Sequence, residues 1–204
     1  PVIVGDEVRV GRSVSELTPQ PSPLPVPNPG NITECCFASI REPGRATLAG
    51  YQKSGGYLAL KAAIEDASPE DIVTLVTESG LAGRGGAGFP PGGKWKAVAE
   101  APGDPKTIVC NADEGEPGCF KDRTLMEHDP HALLEGMALA GFATGAAWGF
   151  IYLRYEYPEI EAILQQAIDE AEAAGILGEG IFGSPCNFNI HIRRGAGAYI
   201  CGEE

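Results

Sequence analysis

The chain has 204 residues, a length for one domain with a tail, and 43% of them are hydrophobic, enough for a buried core. Its formal net charge of −13 argues against nucleic acid or an anionic membrane as a surface partner. An anionic nucleotide would have to be held by local amides and a few cations, against that field.

Residues 1–17 are polar and partly alternating, a strand at most. From Pro19 to Pro29 every second residue is proline, which describes a polyproline II spacer without a core. Residues 1–30 are therefore read as an N-terminal tail with a proline-rich linker, and residues 31–204 as one α/β domain. A short helix is predicted over Tyr57–Glu65. Ser68-Pro69-Glu70-Asp71 gives a helix start, with serine at the N-cap, proline at the first position and an acid at the third. Ile72, Leu75 and Val76 form its stripe and Gly80 ends it. The apolar run Thr107–Cys110 predicts a buried strand of the kind parallel sheets use. Asp129-Pro130 starts the next helix, with Asp129 as its cap and Leu133, Leu134, Met137 and Ala138 facing inward, up to about Gly145. Trp148–Leu153 reads as a strand, Glu159–Ala174 as an amphipathic helix (Ile160, Ile163, Leu164, Ile168), and Asn187–Arg193 as a strand alternating Phe188, Ile190 and Ile192. Helices alternating with strands define an α/β layered fold.

Residues 83–95, GRGGAGFPPGGKW, are the densest chemical signal. Gly83, Gly85, Gly86, Gly88 and Gly92 let backbone amides converge on an anion, Lys94 adds a cation, and Phe89 and Trp95 offer flat faces to a ring. The stretch contains G-x-G-x-x-G, but a Rossmann unit needs a strand before it and a helix after it. Here a helix precedes it, and Pro90 and Pro91 disfavour a helix starting directly after Gly88. A standard Rossmann fold is therefore not expected, and on its own the stretch has a flexible surface loop as its plain alternative.

Two further stretches carry chemistry. NADEGEPGCFKDR (residues 111–123) places Asp113, Glu114 and Glu116 directly after a predicted strand, where open α/β sheets hold ligands; a solvated acidic loop is the plain alternative. GAGAYICGEE (residues 195–204) supplies a second glycine turn, Tyr199 and two acids, or simply a hairpin end. His128 and His131 are a conceivable metal pair, though flanking a helix start is the simpler role, and His191 is an ordinary strand residue. The six cysteines, Cys35, Cys36, Cys110, Cys119, Cys186 and Cys201, contain no C-x-x-C pair, so reduced thiols in a cytosolic setting are expected and no metal ligand is assigned. No apolar run approaches the roughly 18 residues that span a bilayer, and no signal peptide is recognisable.

Taken together and in order, GRGGAGF, GKW, NADEGEPGCFKDR and GAGAYICGEE resemble the flavin- and NADH-binding 51 kDa-type subunit of respiratory complex I. The family includes the diaphorase subunits of NAD-linked formate dehydrogenases and NAD-reducing hydrogenases. The resemblance runs from about Gly55 to Glu204 and implies that family's layered FMN-binding fold. It implies that Asn111, Asp113 and Glu114 hold FMN and that Glu116 contacts the nicotinamide nucleotide. Tyr199, Gly202, Glu203 and Glu204 would wrap the flavin, with Glu204 near NADH, so Glu116 and Glu204 are the residues closest to catalysis. Phe89 would stack on the nucleotide base. Gly83, Arg84, Gly85, Gly86, Ala87, Gly88 and Gly92 would line the nucleotide path, and Lys94 would meet the flavin phosphate.

The implied activity is NADH oxidation by hydride transfer to FMN, with electrons passed to iron–sulfur clusters in a complex I-like NADH:quinone oxidoreductase. A diaphorase subunit of a formate dehydrogenase or hydrogenase is the alternative, and a non-catalytic remnant or scaffold is the alternative of another class. Implied partners are NADH, a 2Fe–2S thioredoxin-like subunit and other iron–sulfur subunits, in the cytoplasm or peripheral on the cytoplasmic face of the membrane, without direct insertion. Two departures stand out: Pro91 replaces a threonine or serine, losing an amide and a hydroxyl for nucleotide contacts, and Tyr155 replaces a glycine, altering packing. The family continues past GEE into further domains carrying the cysteines of a 4Fe–4S cluster, so the chain reads as an N-terminal fragment without those ligands.

Overall fold

The computed structural model describes residues 2–4, 7–9 and 34–198, in two units, Pro1–Ile32 and Thr33–Glu204. In the first unit, Val2–Val4 (β1) pairs antiparallel with Glu7–Arg9 (β2), Ile3 opposite Val8. The proline-rich stretch lies outside the described residues.

The second unit begins with Leu48–Lys53 (α1) and Leu58–Asp66 (α2), joined through Tyr57 in the left-handed region at φ 65°. A non-glycine residue there is costly and needs outside support. Buried Glu135 supplies it: its carboxylate accepts the amides of Tyr57 (3.0 Å) and Leu60 (3.1 Å) and the Tyr51 hydroxyl. The Tyr57 hydroxyl donates to Nδ1 of fully buried His131 (2.9 Å), whose Nε2–H points at Glu170 (3.4 Å).

Pro69–Glu78 (α3) carries the expected capping box: the Ser68 hydroxyl accepts from the Asp71 amide, and the Asp71 carboxylate accepts from the Ser68 amide. Pro91–Glu100 (α4) follows the glycine loop. As expected, no helix starts directly after Gly88: Pro90 is extended, and the helix begins at Pro91, where the fixed φ is favourable and the missing N–H is no loss.

Thr107–Ala112 (β3), Trp148–Leu153 (β4) and Asn189–Arg194 (β5) form a three-stranded parallel sheet in that order, with Thr107 opposite Trp148 and Trp148 opposite Asn189. Lys121–His128 (α5) and Pro130–Thr144 (α6) cross from β3 to β4, and Pro158–Ala173 (α7) crosses from β4 to β5. The core forms where α6 and α7 pack on one face of the sheet. Leu134, Met137, Ala138, Ile160 and Leu164 meet Ala112, Ile151, Leu153 and Ile190 there. The other face carries Val109, 64% exposed, and Trp148, 40% exposed, with His191 stacked on the indole at 5.4 Å. β3 is thus parallel, as its sequence suggests, but alternates between exposed and half-buried up to buried Ala112, because among the described residues helices cover only one side of it. Asp129 is not a side-chain cap for α6. It is buried and forms an ion pair with Arg45 at 2.9 Å. Helix α5 is an element that the sequence patterns do not predict.

Candidate functional site at the carboxyl edge of the sheet

Because the three strands are parallel, their carboxyl ends share one edge, the usual place for a ligand in open α/β sheets. β3 ends in the acidic loop, β4 in Arg154–Tyr157, and β5 in Gly195–Ala198. The ladder continues into this edge: Arg154 N donates to Ala112 O (3.1 Å) and Gly195 N to Leu153 O (2.8 Å).

In the acidic loop, Asn111 is exposed and its Oδ1 accepts from the Asp113 amide at 3.1 Å, which folds the chain back after the strand. Asp113 is half-buried and Glu116 exposed. Glu114 differs from both. It is 7% exposed, and its carboxylate accepts the amides of Asp122 (2.8 Å) and Arg123 (3.3 Å) in the first turn of α5 and the Tyr157 hydroxyl (3.1 Å). The expectation that Glu114 itself grips a flavin meets a carboxylate already committed to three internal donors. Its backbone carbonyl accepts from Arg154. The guanidinium groups of Arg123 and Arg154 lie 5.2 and 5.3 Å from the Tyr157 ring centroid, and they pair with Glu159 (2.6 Å) and Glu156 (3.2 Å) respectively. Burial, then the nearby Glu114 charge, raises the Tyr157 phenol above its ordinary value, so it stays a donor at neutral pH. Tyr157 and Arg154 escape a reading of motifs. The Glu114 that each of them bonds lies 40 and more positions upstream, beyond any local spacing rule.

The glycine loop is placed by α3 and α4, which pack on α6 through Ile72, Val73 and Ala143. Gly92 sits where these helices nearly touch: a Cβ there would lie 2.4 Å from Thr77 Oγ1 and 2.7 Å from its Cα. The loop is closed by Gly83 N donating to Phe89 O at 3.0 Å. At its tip Gly85, Gly86 (φ 112°) and Gly88 open onto space with nothing within 4 Å. Arg84, Ala87 and Lys94 are exposed, and Phe89 is 54% exposed with the Lys94 ammonium 5.1 Å from its ring. Trp95 presents no such face; it packs half-buried against the α2–α3–α6 cluster. Tyr155 is exposed at the strand edge, under the Arg194 guanidinium (5.0 Å) and beside Gly197. Tyr199, Gly202, Glu203 and Glu204 lie outside the described residues. Cys110, adjoining the acidic loop, is no thiolate: burial, then Asp122, pushes it up to about 12. Among the described residues, no group of histidine, cysteine or acidic side chains could hold a metal, and no helix is long and apolar enough to cross a membrane.

The donor set matches a phosphorylated flavin. An open glycine cradle with two exposed cations suits a phosphate, outward acids and an asparagine suit ribityl and ribose hydroxyls, and an exposed phenyl ring suits a planar base. The fold and this edge define a nucleotide-binding α/β domain that is not a Rossmann unit, since a helix stands where the strand before G-x-G-x-x-G should be. The chain belongs to the Complex1_51K family: the model of its Nuo51 FMN-binding domain matches residues 76–204. It is 55% identical over 166 residues to an NADH-quinone oxidoreductase subunit of Rhizobium meliloti, covering 81% of this chain and 39% of that protein. It is 49% identical over 153 residues to the HndC subunit of the NADP-reducing hydrogenase of Solidesulfovibrio fructosivorans, covering 72% of this chain and 31% of that one. Among solved structures, the NAD+-reducing NiFe hydrogenase in its H2-reduced state is similar at a TM-score of 0.60 and 35% identity, covering 84% of this chain and 27% of the hydrogenase chain. The chain thus spans well under half the length of these relatives.

Proposed function

We propose that this chain is the FMN- and NADH-binding part of an electron-input module that oxidises NADH for a larger respiratory complex. The observation that carries the reading is half-buried Asp113 and exposed Glu116 on the sheet's carboxyl edge, in a chain that also presents an open glycine loop with Arg84, Phe89 and Lys94. When bound, FMN would take the hydride of NADH and pass the electrons on singly.

The protein's own work is binding and orientation. The amides of Gly83–Gly88 and Lys94 hold phosphate, with Arg84 a second cation nearby. Gly92 keeps the two flanking helices in register. Asn111 and Asp113 accept from sugar hydroxyls, Phe89 stacks on a base, and Glu116 contacts the nicotinamide nucleotide. Tyr199, Gly202, Glu203 and Glu204 complete the wrap from the third motif. Glu114 acts from within the loop, not on the flavin.

Electrons leave to iron–sulfur subunits, including one of 2Fe–2S thioredoxin-like type, and the complex faces the cytoplasm. The likeness to complex I subunits favours quinone as the final acceptor. The likeness to HndC supports a second reading, a diaphorase subunit feeding a hydrogenase. The test is an absorption spectrum of the protein with FMN, before and after anaerobic NADH. Visible flavin absorbance that bleaches on NADH is the expected result. A protein that takes up no FMN would be a non-catalytic remnant.

A further inference from the structure

We propose that Tyr157 and Arg154 are positioning residues for the nucleotide-facing loop Asp113–Gly118, acting through Glu114 as an internal pin. The proposal rests on the reading above that this loop faces the nucleotide. Three acids sit close together in the loop, and solvation alone would turn all three outward. Glu114 is instead buried at 7% exposure, between half-buried Asp113 and half-buried Gly115. A buried carboxylate is tolerated only when its acceptor sites are filled. Two amides of α5 and the Tyr157 hydroxyl fill them, and Arg154 takes the carbonyl of the same residue.

The pin therefore joins three elements: α5, the β4–α7 turn and the loop itself. The guanidinium groups of Arg123 and Arg154 also lie 5.2 and 5.3 Å from the Tyr157 ring centroid and hold that ring in place. With Glu114 fixed at both its carboxylate and its carbonyl, the loop has little freedom to swing. Asn111, Asp113 and Glu116 then meet a ligand already oriented, and binding orders less chain. A purely local cap for α5 would need only the two amide contacts. The Tyr157 hydroxyl and the Arg154 guanidinium come from the neighbouring strand's exit, and they tie the loop to the edge that it shares with β4.

The experiment compares the full chain with Tyr157→Phe, which removes one hydroxyl and keeps the ring, and Arg154→Lys, which keeps the charge and loses the reach. Ile160→Val, one turn along α7 from Tyr157 and with an apolar side chain that makes no hydrogen bond to Glu114, serves as the conservative control. Amide hydrogen exchange is followed over residues 113–120, and FMN affinity is measured by fluorescence quenching. The expected result is faster exchange in that loop alone for both variants, with exchange in α6 and α7 unchanged. FMN binding weakens about threefold to tenfold, the range of one hydrogen bond's net worth. Ile160→Val changes neither. Combining Tyr157→Phe with Glu114→Gln should add little to either single change, since both break the same pin. Unaltered loop exchange in both variants overturns the pin. Faster loop exchange with unchanged FMN affinity overturns the positioning role. A wild-type chain that takes up no FMN overturns the functional reading on which the role rests, and the exchange data, which need no flavin, keep that failure separate from failure of the pin.

Discussion

The glycine loop and the acidic loop solve one problem in opposite ways. The glycine loop is shaped by its backbone and anchored at its base, where Gly92 meets Thr77, while its tip and side chains face outward. The acidic loop is held from within, by a glutamate that reaches α5, Tyr157 and Arg154. The first is poised to adapt to a ligand, and the second presents groups already in place. The same substitution type should therefore cost affinity in one loop and stability in the other.

The largest effect tests the inner loop. Glu114→Ala strands two amides and a buried hydroxyl, and should cost about 2–3 kcal/mol of stability in urea unfolding. A loss below about 0.5 kcal/mol would break the comparison. Next is the anchor of the other loop. Gly92→Ala drives a methyl into the Thr77 backbone and should cost about 2 kcal/mol through overpacking, with FMN uptake lost alongside. Phe89→Ala, at the outward tip, should leave stability within about 0.5 kcal/mol. It should raise the NADH KM about tenfold, or about 1.4 kcal/mol of binding. Glu116→Ala should raise the NADH KM or slow flavin reduction in stopped-flow, with smaller consequence for folding than Glu114→Ala; unchanged kinetics would remove its role.

Acidification is the mildest test, because it touches neither loop directly. His131 lies on α6 against Tyr57, Glu170, Asp129 and Arg45, and burial depresses its pKa despite the opposing pull of Glu170. A base whose folded pKa is depressed lends its full stability above the unfolded value, about 6.5, and loses it as pH falls toward the folded value. Asp129, raised by burial against the pull of Arg45, carries the opposite sign, in a window that runs upward from the ordinary aspartate value. Thermal melts from pH 7.5 to 5.5 should therefore show falling stability. Both loops should give way together, since both rest on α6 and the sheet; a loop that loosens alone would mean that its region is not governed by this cluster.

What is legible in the sequence is local. Ser68, Pro69 and Asp71 announce α3 because a capping box is written within four residues. The alternation of Phe188 and Ile190 announces β5 because one face of that strand is buried. Helix α5 stays hidden because KDRTLMEH shows no clear apolar stripe and its amides are satisfied by Glu114, not by a neighbouring serine or aspartate. Pro90 and Pro91 keep a helix from starting directly after Gly88, as the sequence suggests, but that Pro91 itself opens α4 is known only from the fold. Asp129 has the residue type and place of a cap, yet it is the partner of Arg45, far upstream. In the candidate site, the motifs mark the loops that carry chemistry. They do not separate the acid that faces inward from those that face outward, because that depends on Tyr157 and Arg154.

The order of the strands has a consequence for how the molecule acquires its ligand edge. Parallel neighbours cannot be joined by a hairpin, and Thr107, Trp148 and Asn189 meet only after two long crossovers have closed. The loop after β3 is synthesised early, and its counterpart after β5 arrives last of the three. The edge is complete only when all three strands have paired. Folding of such non-local contacts is intrinsically slow. Once formed, the edge joins all three strands, and a ligand bound across it would secure the whole sheet against opening, in proportion to its concentration over its Kd.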